Sequence, residues 1–172
     1  RASMPIGTYS EKQIIPEDKL VKVPDNISDE VASCITLKGI TAEYLLHRTY
    51  KVKKGDKILY HAAAGALGQI FCPWANALGA EIIGTVGSDK KIEIAKKNGC
   101  HHVINYNEKN FVEEVEKIVG KNGLDVVYDG VGAKTFEGSI EVLKVRGMMV
   151  AFGNASGSVS YTHLTLPTML WV

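Results

Sequence analysis

The chain has 172 residues, 45% hydrophobic and 23% charged, with 17 Gly and 5 Pro, a composition that excludes disordered, collagenous and fibrous classes. Lys plus Arg at 20 against Asp plus Glu at 19 leaves a net charge of +1, so no global field draws it to nucleic acid or to a membrane surface. The three cysteines, Cys34, Cys72 and Cys100, match neither a disulfide-dense scaffold nor the close pairs that hold zinc, which points to a reducing, cytoplasmic setting without a structural metal.

The sequence begins at Arg1 in what reads as a turn, and the expectation is a piece of something longer. Gly7, Pro16 and Pro24 punctuate a stretch without helical period, in which Gln13–Ile15 and Leu20–Val23 read as short strands. Ser28 followed by Asp29 and Glu30 is a helix start, an acceptor for orphan N–H groups with two acids at the positive end of the dipole. One or two helices are expected from there to about Tyr50, then a basic turn over Lys51–Lys57.

From Lys57 onward the pattern becomes strand, turn, helix, repeated. Apolar runs at Ile58–Tyr60, Glu81–Val86, His102–Ile104, Asp125–Tyr128 and Met148–Phe152 are separated by amphipathic segments near Leu67–Leu78, Lys90–Asn98, Phe111–Val119 and Thr135–Leu143. Such alternation predicts a doubly wound parallel sheet with helices on both faces. Leu59–Ala80 carries no formal charge, but His61, Gln69, Pro73 and Asn76 and its Ala/Gly content make its transfer energy too weak for bilayer insertion.

Ligands of open α/β sheets bind beyond the carboxyl ends of the strands, so the residues that follow each run are the candidates. After the first comes Ala63-Ala64-Gly65-Ala66-Leu67-Gly68, an AxGxxG form of the dinucleotide fingerprint. Gly65 would let the backbone approach a pyrophosphate, and Gly68 would let the helix pack on the strand. The second run ends in Gly87-Ser88 rather than the acid that accepts ribose hydroxyls in NAD-preferring sites, and Ser88 is expected to cap the next helix. Lys90 or Lys91 in that helix start would suit a 2′-phosphate, although either could equally be a solvated surface lysine. The structural readings of the rest are plainer: His101-His102 as an exposed strand entry, His61 as a packed core residue, Tyr44 as a half-buried helix residue and the cysteines as small buried hydrophobes.

Gly7-Thr8-Tyr9-Ser10-Glu11, Leu37–Leu46, His61-Ala62-Ala63-Ala64-Gly65, Leu78-Gly79-Ala80, Ile83–Ser88, Val103–Tyr106 and Phe152-Gly153-Asn154 together resemble the zeta-crystallin-like NADPH:quinone oxidoreductases of the medium-chain dehydrogenase/reductase superfamily. The resemblance implies a Rossmann-type α/β domain over 28–157, preceded at 1–27 by the remnant of a β-rich catalytic domain. It also implies an NADPH cofactor, no zinc, a quinone or enone as hydride acceptor, and a homodimeric parent protein. By resemblance Ala66 and Leu67 lie against the pyrophosphate, Gly87, Ser88 and Lys91 hold the 2′-phosphate, and Tyr106 covers the adenine side. Tyr44, Val131, Phe152, Gly153 and Asn154 would line the path to the nicotinamide, and no side-chain acid or base is implied. Ala66 departs from the family's usual second Gly, and Pro73 should kink the helix after the glycine turn at a cost of about 3 kcal/mol.

Two other readings share these features: a non-catalytic, crystallin-like NADPH-binding module, and an S-adenosylmethionine-dependent methyltransferase, which would want an acid where Gly87-Ser88 stands. Residues 158–172 are expected to be a non-native tail, because the resemblance stops near Gly157 and Val159–Thr168 looks like a translated sequencing adapter.

Overall fold

The computed structural model describes residues 9–159, so the expected non-native tail lies almost wholly outside the described residues. The chain divides into two compact units, Arg1–Thr36 and Leu37–Val172.

In the first unit, the expected strands at Gln13–Ile15 and Leu20–Val23 are absent; irregular chain flanks a 3₁₀ turn at Glu17–Lys19. An isolated extended segment gains little without a neighbouring strand, and no such neighbour exists among the described residues, so Ile14 and Val21 lie exposed. Helix α1 (Asp29–Tyr44) starts in this unit as expected, and Ser28 Oγ accepts the N–H of Val31 at 3.4 Å. Cys34, expected to be buried, is exposed on it, whereas Cys72 and Cys100 are buried in the second unit.

The second unit is a five-stranded sheet in the order β3-β2-β1-β4-β5, with every pairing parallel. Its strands are β1 (Lys57–Tyr60), β2 (Glu81–Val86), β3 (His102–Asn105), β4 (Leu124–Asp129) and β5 (Leu143–Ala151). Helices α2 (Gly68–Ala77), α3 (Ile92–Lys97), α4 (Phe111–Val119) and α5 (Phe136–Glu141) alternate with them. Two cores result, as a sheet buried on both faces requires. Ile58, Tyr60, Ile82, Val126 and Tyr128 pack with Phe71, Cys72 and Ala75 of α2, while Leu59, Ile83, Ile104 and Val127 pack with Val115 of α4.

The start of β5 and the cap of the turn after β2 differ from expectation. Leu143 opens β5 instead of closing α5, because its backbone pairs with Leu124 ahead of a register shift in β4·β5. Ser88 stands at the head of a 3₁₀ turn, but its side chain makes no capping bond; its carbonyl accepts the N–H of Lys91 at 3.0 Å instead. Pro73 lies inside α2 without ending it.

The order of the strands reverses between β1 and β4, which opens a crevice at their carboxyl ends. What sets the start of α2 over that crevice is a single close approach. A Cβ on Gly68 would lie 2.3 Å from the carbonyl oxygen of Ala63 and 2.7 Å from its carbonyl carbon, and both are backbone atoms that cannot step aside. We therefore expect Gly68→Ala to lower unfolding stability by about 3 kcal/mol, at the severe end of overpacking. A urea midpoint within 0.5 M of the parent chain's, at an unchanged slope, would show that the helix has room to shift.

Candidate functional site

At the exit of β1 the chain reverses through Ala62, which adopts a left-handed conformation (φ 60°) that costs a non-glycine residue about 1 kcal/mol. The reward is a tight turn in which Gly65 N–H donates to the Ala62 carbonyl at 2.8 Å, while Ala63 N–H donates to Thr85 O at 2.9 Å and ties the turn to β2. The chain then enters α2, where no described acceptor takes the N–H of Ala66 or Leu67. Free donors at a helix start, with the positive end of the dipole behind them, form an anion site.

Two hollows flank this turn. One, of about 100 Å³, is lined by Ala62, Ala64, Gly65, Val86, Gly87, Lys91 and Tyr106. Tyr106 lies so close over Gly87 that a Cβ there would meet its hydroxyl at 2.9 Å. Asn107 Nδ2 donates to the Gly87 carbonyl at 2.8 Å, and Asn105 Nδ2 donates to Asp89 Oδ1 at the same distance. The loops after β2 and β3 are thus joined, and one carboxylate oxygen of the only acid beside Ser88 is already engaged. The Ser88 hydroxyl has no partner among the described residues.

The second hollow, about 210 Å³, lies at the crevice. Tyr60, His61, Ala62, Gly65, Ala66, Leu67 and Gly68 form one side, Gly130, Val131, Phe152 and Ala155 another, and Lys38 reaches it from α1. Gly130 lies close under Phe152: a Cβ there would sit 2.9 Å from the far edge of the ring, which would have to move to admit it.

Beneath this hollow a polar chain links β1, β2, β4 and α5. Asp129, fully buried, accepts through Oδ1 from the N–H groups of Val131 (2.7 Å) and Gly132 (3.0 Å), and through Oδ2 from Thr135 Oγ1 (2.8 Å). The carboxylate therefore shapes the turn that carries Val131. Ser139 Oγ donates to the Thr135 carbonyl at 2.7 Å, which spends its one hydrogen. It can then only accept from His61 Nε2 at 2.9 Å, leaving Nδ1 to accept from Thr85 Oγ1 at 2.9 Å. Both partners suit a neutral ring, and burial pushes the His61 pKa down to about 4, opposed in part by the charge of Asp129.

The structure thus gathers Gly65, Gly87, Lys91 and Tyr106 around the first hollow and Gly65, Ala66, Leu67, Gly68, Val131 and Phe152 around the second. Ser88 lies between Gly87 and Lys91 without lining either. Tyr44, 37% exposed at the end of α1, Gly153, packed against the Gly130 carbonyl, and exposed Asn154 line neither. Lys90 also lies outside both, whereas Lys91 lines the first. Sequence reading passed over Asp129, Thr135, Ser139 and Lys38. The Asp129-Gly130-Val131-Gly132 run carried a signal for the first, since an Asp two and three residues before the amides it binds is an Asx turn. His101 Nδ1 accepts the N–H of Ile82 at 3.0 Å, and His102 faces Glu81 at 3.5 Å. Among the described residues no group of three or more His, Cys, Asp or Glu is placed to hold a metal, and no helix is long and apolar enough to cross a membrane.

This fold, with its glycine turn and strand-end crevice, places the chain in a known family. The zinc-binding dehydrogenase family model matches residues 66–170, and the chain belongs to that family, in the quinone-oxidoreductase-like branch of the medium-chain dehydrogenase/reductase superfamily. It is 51% identical over 155 residues to a 2-haloacrylate reductase of a Burkholderia species, covering 89% of this chain and 46% of that protein. It is 47% identical over 163 residues to quinone oxidoreductase 1 of Escherichia coli, covering 95% and 50% respectively. The crystal structure of an Escherichia coli quinone oxidoreductase complexed with NADPH superposes with a TM-score of 0.81 at 47% identity, over 88% of this chain and 47% of that one. The chain spans about half the length of the curated relatives it matches.

The buried histidine has a consequence for stability. The unfolded chain binds a proton at His61 near pH 6.5 and the folded one only near pH 4, so this contribution is complete above pH 6.5 and declines as pH falls between those values. From pH 7 to pH 5 it should remove about 2 kcal/mol. Urea unfolding at the two pH values should therefore show a smaller difference for His61→Asn than for the parent chain; equal differences would place the titration elsewhere.

Proposed function

We propose that this chain is the NADPH-binding part of a reductase that delivers hydride to a quinone or a related activated alkene, without zinc. The observation that carries the reading is the end of β2. Gly87, a Ser88 hydroxyl without a partner among the described residues, and Lys91 stand beside the Gly65 turn; β2 runs out into Gly87-Ser88 rather than an acid, and the carboxylate that follows, Asp89, is turned to Asn105 through Oδ1. A 2′-phosphate would meet the Ser88 hydroxyl and the Lys91 ammonium in charge-assisted bonds. The same feature disfavours a methyltransferase. The hollows fit the rest of the cofactor. The bare N–H groups of Ala66 and Leu67 would take the pyrophosphate, Tyr106 would stack on the adenine side, and Val131 and Phe152 would flank the nicotinamide.

Bound there, the nicotinamide supplies the hydride. The chain's own residues orient and shield it: Asp129 fixes the Val131 turn, Phe152 closes the crevice against Gly130, and the buried neutral His61 keeps charge away from the floor. Reduction of a quinone or enone asks for alignment and exclusion of water more than for a side-chain acid. The names of the relatives, quinone oxidoreductase and 2-haloacrylate reductase, support an electron-poor C=C or C=O acceptor. A cytoplasmic homodimer is proposed for the whole protein on the same resemblance.

Lys91→Ala should raise the Kd for NADPH about five- to 150-fold, or about 1–3 kcal/mol, and change that for NADH less than twofold. Equal losses for the two cofactors in a fluorescence titration would remove Lys91 from the phosphate site. Quinone-dependent NADPH oxidation by the full-length parent would separate a reductase from a binding module.

A further inference from the structure

Lys38 occupies a position its chemistry does not explain. It lies one helical turn before Ala42 and two turns before Leu45, both fully buried, while Leu37, Ile40 and Tyr44 on the other side of α1 are exposed. The inward side of a helix ordinarily carries apolar residues. Lys38 is half-buried as a residue, and a lysine on that side of a helix is ordinarily answered by an anion. No carboxylate answers it: the ion pairs of the described residues do not include Lys38, and no hydrogen bond to it occurs among them. It instead lines the hollow that Ala66 and Leu67 line, where among the described residues it is the only formally charged one, His61 being neutral.

We propose that Lys38 is a cofactor-binding residue whose ammonium pairs with the pyrophosphate of the dinucleotide, opposite the N–H groups of Ala66 and Leu67. The inference rests on the NADPH reading above. A dinucleotide pyrophosphate carries two negative charges, whereas a helix start offers the equivalent of about half a positive charge. A full unit charge from α1 offsets most of the remainder. The bound cofactor is then held by two lysines from opposite sides of the glycine turn. Lys91 serves the 2′-phosphate, which only NADPH has, and Lys38 serves the group that NADPH and NADH share. Lys38 thus contributes affinity and Lys91 contributes the choice between cofactors.

The test is a set of binding titrations on the 172-residue chain with NADPH, NADH and adenosine 2′-monophosphate, which has the 2′-phosphate but no pyrophosphate. Lys38→Met should raise the Kd for NADPH and NADH by a similar factor, about tenfold, and leave that for adenosine 2′-monophosphate within twofold. Lys91→Ala should do the reverse, weakening NADPH and adenosine 2′-monophosphate only. Lys38→Arg, which keeps the charge, should restore NADPH affinity to within threefold of the parent chain. Because an inward-facing position gains an apolar side chain, Lys38→Met should melt no lower than the parent, which separates lost binding from lost folding. Unchanged NADPH affinity in Lys38→Met would overturn the assignment. So would an equal loss toward adenosine 2′-monophosphate, or, in the full-length parent, a rise confined to the KM of an anionic acceptor such as a haloacrylate. Failure of the unmutated chain to bind NADPH at all would overturn the reading beneath it and this inference together.

Discussion

The site depends on how closely one helix approaches one strand. The backbone of α2 begins almost in contact with the carbonyl of Ala63, at a distance only glycine at position 68 permits, and that contact aims the start of the helix into the crevice between β1 and β4. A helix displaced by even the width of a methyl group would carry the free N–H groups of Ala66 and Leu67 away from the strand ends. The left-handed turn at Ala62 belongs to the same constraint: the chain must leave the strand, reverse and start a helix within a few residues. Local strain of about 1 kcal/mol is tolerated there because β1 is buried on both faces and bonded on both edges.

Around that contact the other strand ends are fixed by side chains rather than by packing alone. Asp129 organises the turn after β4, and its three bonds are strong because they are made to a charge in a buried setting. Asn105 and Asn107 bind the loop after β3 to the loop after β2. The result is a rim whose backbone is set before any ligand arrives, with its cations, Lys38 and Lys91, at opposite ends of the glycine turn. Preorganisation of this kind spares the binding step the entropic cost of ordering the protein's own loops.

The sheet was legible in the sequence because buried parallel strands read as continuous apolar runs, and the glycine turn between the first run and the next helix had the spacing its geometry requires. Short apolar runs outside that alternation misled. Gln13–Ile15 and Leu20–Val23 have strand composition, but a strand is defined by its neighbour, which composition does not encode. Cys34 was misjudged for a related reason, since residue type gives an average tendency to burial while helix phase decides the case. The start of β5 at Leu143 was hidden by a register shift opposite Leu124. Lys38 could have been suspected from phase alone, as a lysine in register with Ala42 and Leu45, but its unpaired state needed coordinates. The His61 chain was invisible, because Thr85 and Ser139 are 24 and 78 residues away from it along the sequence.

The strand ends of this chain are proposed to form an NADPH site. The measurement that bears on it most directly is a titration of the isotope-labelled 172-residue chain with NADPH, followed by amide chemical shifts. The account requires saturable shifts at Gly65–Gly68, at Gly87–Lys91 and in the Val131 turn, with α4 unmoved. Absence of saturable shifts, or shifts centred on α4 and the far edge of the sheet, would contradict it.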